Sequence, residues 1–557
     1  MLNLISDIKT KIAKILSEQL EVVAFKQGIK IKAREFVVEY TPHKPFGDFS
    51  SNIAMVNVKQ FNQSAQEVAE SIVEGLNLEG THLNKASVRA GFINFDLSDD
   101  FYKSVIKNID ESYLEADSHP QKRGRVLVEY VSANPTGPMH IGNARGGAVG
   151  DCLSNVLAKL GFEVTREFFI NAAGNQIDIF KKSLEARFIQ RVKGEDAIEF
   201  PPEGYHGDDV KRLVEEFIAE YGSGLIEKDA GERGEKLIEY GLTRNIAAIK
   251  KTMEVYRIYY DTWFTETSLY QDGSVTRIVD RLTEKGLTYE KDGALWYRFS
   301  GADGEIKDEV LRRSNGNYTY FAADIAYHAN KFETRGFERC INIWGADHHG
   351  HVKRLKNVMF DLGIDPERLV ILLMQVVRLI KGGEVVKMSK RTGEVIALAD
   401  LLEEVPVDAV RFIFNMREIN THLDFDMDLA IEESSKNPVY YVQYAHARIC
   451  NILRKSKGAS LPGGNEDVVL TVHEKNLIKC LIAYPDTLEE VGKTLDPSLI
   501  VKYLIDLAAE FHKFYSECRV FGADGKACEP RLALCRAVKQ TLGDGLGLLG
   551  VLAPNQM

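Results

Sequence analysis

Hydrophobic residues follow two different spacings in the middle of the chain. Residues 126–131 (VLVEYV) form a short run rich in β-branched side chains, which is typical of a buried strand, and similar runs occur at 340–345 and 369–377. After the first run, apolar residues recur at helical spacing at Val149, Cys152, Leu153, Val156, Leu157 and Leu160. This alternation of strands and helices predicts an α/β domain with a mostly parallel sheet.

The two ends of the chain have different patterns. The first 115 or so residues mix helical stretches with the strand-like REFVVEY and GFINFDL, and they end in the polar segment ADSHPQKRGR. From about Pro406 onwards strand patterns vanish and helical periodicity dominates. We therefore predict an α+β domain at 1–118, an α/β domain at 119–404 with a helical insertion at about 180–264, and an all-α helical bundle at 405–557.

Composition narrows the class of protein. The chain has 557 residues, of which 45% are hydrophobic and 27% charged, as in a soluble globular protein with several domains. No apolar run approaches the ~20 residues that cross a bilayer, so we expect no membrane span and no signal peptide. Seven scattered cysteines without a C-x-x-C pair favour free thiols in a reducing cytoplasm over a cysteine zinc site. The net charge of −11 argues against general nucleic-acid binding, so any RNA contact must use local basic clusters.

A glycine-rich loop follows the first predicted strand. The segment SANPTGPMHIGNARGGAVGD (132–151) joins that strand to the next helix. The free N–H groups and the positive dipole end of such a helix favour an anion such as phosphate, and the His140 imidazole is placed to donate to it. This stretch alone fits equally well an ordinary turn in which Gly142 and Gly146 serve packing.

A second loop combines three cations. KMSKRTG (387–393) places Lys387, Lys390 and Arg391 around the small Ser389, after a hairpin turn predicted at Gly382 and Gly383. Cations at this spacing can neutralise the charge that develops on a departing pyrophosphate, although a solvated basic turn fits this loop alone. The two loops together are much more specific than either.

The two loops resemble known signatures. HIGN (140–143) and KMSKR are similar to the HIGH and KMSKS motifs of class I aminoacyl-tRNA synthetases. Further segments look like arginyl-tRNA synthetases in the same order, and they are GDFSSNIAM (47–55), FINFDLS (92–98), YFAADIAYH (320–328), GADHHGHVKRL (345–355), DAVRF (408–412) and NPVYYVQYAHAR (437–448). The resemblance covers essentially the whole chain. It implies a Rossmann-like catalytic domain with insertions, an N-terminal additional domain associated with the tRNA elbow and a helical anticodon-binding domain.

The resemblance also implies a reaction and its residues. The reaction is ATP-dependent ligation of L-arginine to tRNA(Arg) through arginyl-adenylate, with Mg2+ supplied with ATP. His140 and Asn143 would serve the α-phosphate side, and Lys387 and Lys390 the leaving pyrophosphate. Asn143 stands where the family signature has its second histidine, so it can donate a hydrogen bond but carries no charge. Other expected ATP contacts are Gly137, Gly142, Gly345, Asp347, His348, Met388 and Ser389.

Two further sets of residues follow from the resemblance. The positions that match the family's arginine-binding residues are Glu129, Asn134, Tyr320 and Asp324. Those expected to contact tRNA are Tyr444, Arg448 and Arg454, although tyrosines at helical spacing fit the core of a bundle equally well. His348, His349 and His351 could suggest zinc, but no spaced cysteine or further histidine accompanies them, so we expect no bound metal.

Other functions remain open from the sequence alone. One is another class I synthetase, such as a cysteinyl or leucyl enzyme. A nucleotidyltransferase with a HIGH-like loop would not need the helical region after the KMSKR loop. A catalytically silent RNA-binding relative would not need His140, Lys387 and Lys390. We expect tRNA(Arg), L-arginine and ATP as partners, no DNA or membrane, and a cytoplasmic monomer.

Overall fold

The computed structural model describes residues 4–41, 46–109, 122–171, 174–299, 307–386, 396–456, 469–523 and 525–557. In the N-terminal region, α1 is amphipathic and buries Ile5, Ile8 and Ile12 at helical spacing. The elements of this region are α1 (Leu4–Lys26), β1 (Val38–Tyr40), β2 (Phe49–Ser51), α2 (Ile53–Asn57), α3 (Ala65–Glu74), β3 (Leu83–Arg89), β4 (Phe92–Leu97) and α4 (Asp99–Lys107). Its strands form an antiparallel sheet in the order β1-β2-β4-β3.

A parallel sheet forms the centre of the molecule. The first half of this region contains β5 (Arg125–Glu129), α5 (Ile141–Lys159), β6 (Glu163–Ile170), α6 (Asn175–Lys193), α7 (Asp208–Tyr221), α8 (Ala230–Val255) and β7 (Thr262–Thr265). Helices α6 to α8 lie between two neighbouring strands, β6 and β7, and have a hydrophobic cluster of their own.

A small antiparallel sheet that the hydrophobic pattern did not indicate follows β7. The chain continues through α9 (Glu266–Gln271), α10 (Ser274–Glu284), β8 (Thr288–Lys291), β9 (Ala294–Tyr297), β10 (Glu309–Arg312), α11 (Tyr320–Ala329), β11 (Arg339–Gly345), α12 (His349–Asp361) and β12 (Leu369–Met374). Strands β8 to β10 form the small sheet, whereas β11 and β12 complete the parallel one in the order β12-β11-β5-β6-β7.

The run at 369–377 is split between two sheets. Its first part is β12, and Val377 begins β13 of a separate sheet with the order β14-β13-β15. The elements here are β13 (Val377–Lys381), β14 (Glu384–Val385), α13 (Leu398–Glu404), α14 (Val407–Phe414), β15 (Leu423–Asp426) and α15 (Met427–Ile431). Gly382 and Gly383 both have positive φ, which confirms the predicted hairpin turn.

Strand β15 corrects the expectation that no strand follows Pro406. Only Leu423 and Phe425 of its four residues are buried, and the strand is stabilised by pairing with β13, which lies more than forty residues earlier in the chain. Because this pairing is long-range, the local sequence carries little signal for it.

Four long helices complete the part of the chain that the structure describes. They are α16 (Pro438–Ser456), α17 (Val472–Thr494), α18 (Ser498–Glu517) and α19 (Glu529–Leu548). The N-terminal region docks on α17, where Lys479 forms an ion pair with the buried Asp48. The Tyr40 hydroxyl also donates to the backbone carbonyl of Lys479 at 3.2 Å. None of the helices in the described residues is long and apolar enough to span a membrane.

Candidate active site

The order of the parallel strands determines where a ligand can bind. From β5 the chain crosses through α5 to β6 on one side, whereas β11 lies on the other side of β5. In open α/β sheets, a crevice forms at the carboxyl ends of the strands where the order reverses in this way. The glycine-rich loop after β5 and the GADHHG segment after β11 therefore lie on either side of one crevice.

The glycine-rich loop begins with a strained backbone. Val131 and Ser132 both have positive φ, at 70° and 41°, which a β-branched residue such as valine rarely adopts. The Ser132 hydroxyl holds this turn because it accepts from the Phe169 N–H and donates to Glu129 Oε1, both at 3.1 Å. The structure therefore fixes the direction in which the loop leaves β5.

His140 caps the helix that follows this loop. Its Nδ1 accepts a hydrogen bond from the Gly142 N–H at 3.1 Å, so the ring carries its proton on Nε2. A Cβ at Gly142 would lie 2.8 Å from the His140 ring, so a glycine is needed there for the cap. At Gly146 a Cβ would make only ordinary contacts, the nearest at 3.5 Å.

Backbone contacts join the first signature loop to residues 397 and 398. His140 forms a β-bridge with Ala397, and the Leu398 N–H donates to the Met139 carbonyl at 2.7 Å. The expected contacts Lys387, Met388, Ser389 and Lys390 lie outside the described residues. Strand β14 lies just before residues 387–395, and the segment just after them pairs with the first loop at Ala397.

Other expected ATP contacts lie around the same crevice. Asn143 is half-buried, and its backbone N–H donates to the His140 carbonyl at 2.9 Å. Gly345 ends β11, and Asp347 and His348 follow it in an exposed 3-10 turn. Gly137 lies in the first loop, where a Cβ would approach Asp209 of α7 to 3.3 Å.

Glu129 belongs to a buried polar network at the end of β5. Glu129 pairs with Asn342 of β11 on one side and with Glu167 of β6 on the other, so three polar side chains lie in register across the sheet. Lys331, which is fully buried in a π-helical turn, donates to Glu129 Oε2 at 2.6 Å and to Asn342 Oδ1 at 3.1 Å. The charge of Glu129 is therefore compensated by a lysine.

Tyr320 and Asp324 lie one turn apart on α11. Both line a cleft of about 420 Å3. The Tyr320 hydroxyl accepts from the Asn175 N–H at 2.7 Å, and Asp324 Oδ2 lies 2.9 Å from His351 Nε2. Glu129 and Asn134 are not among the residues lining this cleft; the Asn134 amide donates instead to Gln176 at 2.7 Å.

A third acid near the cleft was missed by the sequence reasoning. Glu266 begins α9 and is only 2% exposed, and its Oε2 has no hydrogen-bond partner among the described residues. Burial and the charge of Asp324 raise the pKa of Glu266 to about 7. Burial and the charge of Glu266 also raise the pKa of the nearby Tyr270 to about 12. An unpaired buried carboxylate beside Asp324 favours a cationic ligand.

Comparisons with known proteins agree with this architecture. The model described as "tRNA synthetases class I (R), catalytic domain" matches residues 106–453. "Arginyl tRNA synthetase N terminal domain" matches residues 4–97, and "DALR anticodon binding domain" matches residues 442–557. The arginine–tRNA ligase of Acetivibrio thermocellus is 45% identical over all of both chains. That of Caldanaerobacter subterraneus is 47% identical over 99% of this chain and 98% of its own.

The chain belongs to the arginyl-tRNA synthetase family. Among solved structures, a putative arginyl-tRNA synthetase from Campylobacter jejuni superposes with a TM-score of 0.73 at 34% identity, covering 83% of this chain and 100% of its own. The Thermus thermophilus arginyl-tRNA synthetase, at 22% identity, shares the fold with a TM-score of 0.72 over 98% of this chain and 100% of its own. The predicted family, fold class and enzyme class are thus confirmed.

The C-terminal helices carry an aromatic and cationic cluster. Tyr444 is 37% exposed, so it does not belong to the bundle core. The Arg448 guanidinium lies over the Tyr444 ring at 4.8 Å and over the Tyr515 ring at 5.1 Å. Arg454 is exposed and donates to Asn451 at 2.7 Å.

The histidines that could suggest zinc do not face one another. His348 and His349 are exposed, whereas His351 faces Asp324. In the part of the chain that the structure describes, no group of three or more His, Cys, Asp or Glu side chains is arranged to hold a metal ion.

Proposed function

We propose that ATP binds in the crevice between the glycine-rich loop and GADHHG, and that the side chain of L-arginine binds in the cleft of Tyr320 and Asp324. The observation that carries this proposal is that a site suited to an anion and a site suited to a cation lie at the same edge of the parallel sheet. Helix N–H groups capped by His140 suit a polyanion, and the acids around α11 suit a planar cation.

The reaction follows from this arrangement. An oxygen of the arginine carboxylate attacks the α-phosphorus of ATP, and the bond from that phosphorus to pyrophosphate breaks. The protein has to position both groups and stabilise charge on the phosphoryl oxygens. We assign His140, Asn143 and the N-terminus of α5 to the α-phosphate, and Lys387 and Lys390 to pyrophosphate. A hydroxyl of the terminal tRNA ribose then attacks the carbonyl carbon of the adenylate, and AMP leaves.

The remaining ATP contacts lie on the two loops and in GADHHG. We assign Gly137 and Gly142 to close approach of the backbone, and Gly345, Asp347 and His348 to the adenosine side. Met388 and Ser389 belong to the second loop. Mg2+ enters as part of the Mg–ATP substrate, bound to phosphate oxygens that the protein then orients.

Recognition of arginine combines charge and shape. The guanidinium has five donors in one plane and keeps its charge, so it needs several acceptors held in fixed positions. We propose that Asp324 and Glu266 supply the charge and Tyr320 an aromatic wall. Glu129, whose charge Lys331 compensates, and Asn134 contribute further polar contacts on the side of the glycine-rich loop.

The C-terminal helices carry the residues that we assign to tRNA(Arg). We propose that Tyr444 and Arg448 stack on unpaired anticodon bases and that Arg454 meets a phosphate. The supporting observation is that the three residues lie on one helix, with Tyr444 and Arg454 exposed and Arg448 half-buried, while the chain as a whole is acidic. We also propose that the three domains meet at residues 118 and 404.

The cellular location and oligomeric state of the protein are also proposals. We infer a cytoplasmic monomer that uses neither DNA nor a membrane. All seven cysteines are free thiols and six of them are buried, which suits a reducing compartment.

Amino-acid-dependent ATP–pyrophosphate exchange, with and without tRNA(Arg), tests the proposed function. We expect exchange with L-arginine, but none with cysteine or leucine, and transfer of arginine to tRNA(Arg). Exchange driven by another amino acid would overturn the arginine pocket, and adenylyl transfer without any tRNA product would favour a nucleotidyltransferase.

A further inference from the structure

The histidine-containing segment after β11 places one imidazole against the cleft. His351, in the first turn of α12, lies with Nε2 at 2.9 Å from Asp324 Oδ2 on α11. An imidazole nitrogen at hydrogen-bond distance from a carboxylate oxygen carries a proton, whether the ring is neutral or charged. His351 therefore donates to one oxygen of Asp324 and leaves the other for a ligand.

The ring of His351 is itself fixed by packing. It lies between Trp344 and Phe321, with ring centroids 5.7 Å and 5.8 Å away, and only 19% of its side chain is exposed. Trp344 of β11 and Phe321 of α11 thus restrict rotation about the two side-chain bonds of His351. The Nε2–H bond consequently points toward Asp324.

A second histidine holds the backbone of the same residue. His328, one turn after Asp324, donates from Nδ1 to the Asp324 carbonyl at 2.8 Å and accepts at Nε2 from the Asn342 amide at 2.8 Å. Burial and the charge of Lys331 hold the pKa of His328 well below its usual range, so this ring is neutral. Asp324 is thus held at its backbone by His328 and at its carboxylate by His351.

We propose that His351 is a positioning residue for amino-acid specificity, which fixes the Asp324 carboxylate so that its second oxygen accepts from the guanidinium. This inference rests on the proposed role of Asp324. Without the donor, an aspartate whose side chain is 34% exposed can rotate toward water or away from the neighbouring Glu266. The pocket then keeps its charge but loses the geometry that separates a guanidinium from a neutral group of the same shape.

Four variants of the full chain test the inference. His351→Leu keeps apolar volume against Trp344 but removes the donor. His351→Gln can place an amide N–H near the position of Nε2, whereas the shorter His351→Asn cannot. His422→Gln is the matched control, because it makes the same exchange at an exposed histidine that belongs to neither proposed binding site. The measurements are KM for L-arginine and for ATP in aminoacylation of tRNA(Arg), and discrimination against L-citrulline, the neutral isostere.

The expected results separate positioning from packing. Loss of one hydrogen bond to a charged group should raise the KM for arginine about tenfold and reduce discrimination against citrulline about tenfold in His351→Leu and His351→Asn. The KM for ATP should stay within about twofold, and His351→Gln and His422→Gln should stay within about threefold of the parent on all three measures. An unchanged KM for arginine in His351→Leu or His351→Asn would overturn the inference. The inference would also be overturned if His351→Gln raised the KM for arginine as much as His351→Leu does. An equal rise in the KM for ATP and the KM for arginine would overturn it as well.

The variant Asp324→Asn distinguishes failure of this inference from failure of the arginine pocket. If His351 acts through Asp324, adding His351→Leu to Asp324→Asn should change the KM for arginine no further. If Asp324→Asn leaves that KM unchanged, the pocket assignment itself is wrong. If Asp324→Asn raises it and His351→Leu does not, only the role of His351 is wrong.

Discussion

At the residue scale, Asp324 carries a charge that a guanidinium can neutralise. In Asp324→Asn the side chain keeps its shape, but one acceptor becomes a donor that faces the N–H groups of the ligand. We expect arginine binding to weaken by roughly 2–5 kcal/mol, while ATP binding, which uses the other crevice, is unchanged. Separate titrations with arginine and ATP measure this. Unchanged arginine affinity would place Asp324 outside the pocket, and equal loss of both ligands would indicate misfolding.

The raised pKa of Glu266 predicts that arginine binding depends on pH. Its pKa is raised to about 7, so in the free enzyme it is mostly protonated at pH 6 and mostly ionised at pH 8. A guanidinium prefers the ionised carboxylate, so the KM for arginine should fall as pH rises, by up to about tenfold between pH 6 and pH 8. Glu266→Gln should remove this part of the profile. A profile identical in parent and variant would show that Glu266 does not meet the substrate.

The same ionisation affects stability with a definite sign. Because folding raises the pKa of Glu266, its contribution to stability is present below the pKa of the unfolded chain and is lost as pH rises through about 7. Bound arginine should offset this loss by pairing with the carboxylate. Thermal unfolding at pH 6 and pH 8 should therefore show a larger stabilisation by arginine at pH 8.

At the element scale, the N-terminus of α6 packs against the cleft. Gly174 has φ of 97°, and a Cβ there would lie 1.1 Å from the Tyr320 hydroxyl. Gly174→Ala should displace Tyr320 and lower kcat/KM for arginine by about ten- to a hundredfold, because small misplacements in a site are costly. Gly194, at the other end of α6, has φ of 104° and nothing within 4 Å of its Cβ position, so Gly194→Ala is the control with similar backbone strain. Equal activity in the two variants would contradict the role of Tyr320.

The second signature loop should act late in the activation step. Lys387→Ala and Lys390→Ala each remove a cation that we assign to the departing pyrophosphate, so they should slow adenylate formation with little change in arginine binding. The expected cost is roughly 2–4 kcal/mol of transition-state stabilisation for each variant. Single-turnover adenylate formation and equilibrium arginine binding measure the two effects. Activation at the parent rate in both variants would refute the assignment.

At the scale of the whole molecule, local patterns predicted the fold where pairing and periodicity are local. The strand–loop–helix at β5 and α5 and the hairpin at Gly382 and Gly383 are of this kind. Strand β15 was missed because it is stabilised by a partner in β13. Strands β8 to β10 are four residues long each, too short for a clear alternation.

The candidate site was predictable only in part, for the same reason. Tyr320 and Asp324 are one turn apart in sequence, so their common face follows from helical spacing. Glu266, Lys331 and His351 come from different elements, and only the folded sheet brings them to Glu129 and Asp324. Their sequence signals are a lone acid after a strand, a lysine after a helix and a third histidine, each of which is usually a surface residue.

Docking of the N-terminal region on α17 should set the affinity for tRNA. The buried Asp48 accepts from the Leu97 N–H at 2.8 Å and forms an ion pair with Lys479 of α17, so the GDFSSNIAM segment contacts the C-terminal helices. In Lys479→Met this carboxylate loses its cation, at a cost of about 3–5 kcal/mol for a buried pair. A loosened N-terminal region should raise the KM for tRNA(Arg) more than the KM for arginine or ATP, as should its deletion.

A neighbouring ion pair provides the control for this last prediction. Lys475 of α17 pairs with Asp99, whose side chain is 63% exposed, so Lys475→Met should cost less than about 1 kcal/mol and leave the KM for tRNA near the parent value. Aminoacylation kinetics with each substrate varied in turn, together with limited proteolysis between the N-terminal region and β5, measure both effects. If Lys479→Met loosens the N-terminal region in proteolysis while the KM for tRNA(Arg) stays unchanged, this region does not contribute to tRNA binding. If neither changes, the Asp48–Lys479 pair does not hold the two regions together.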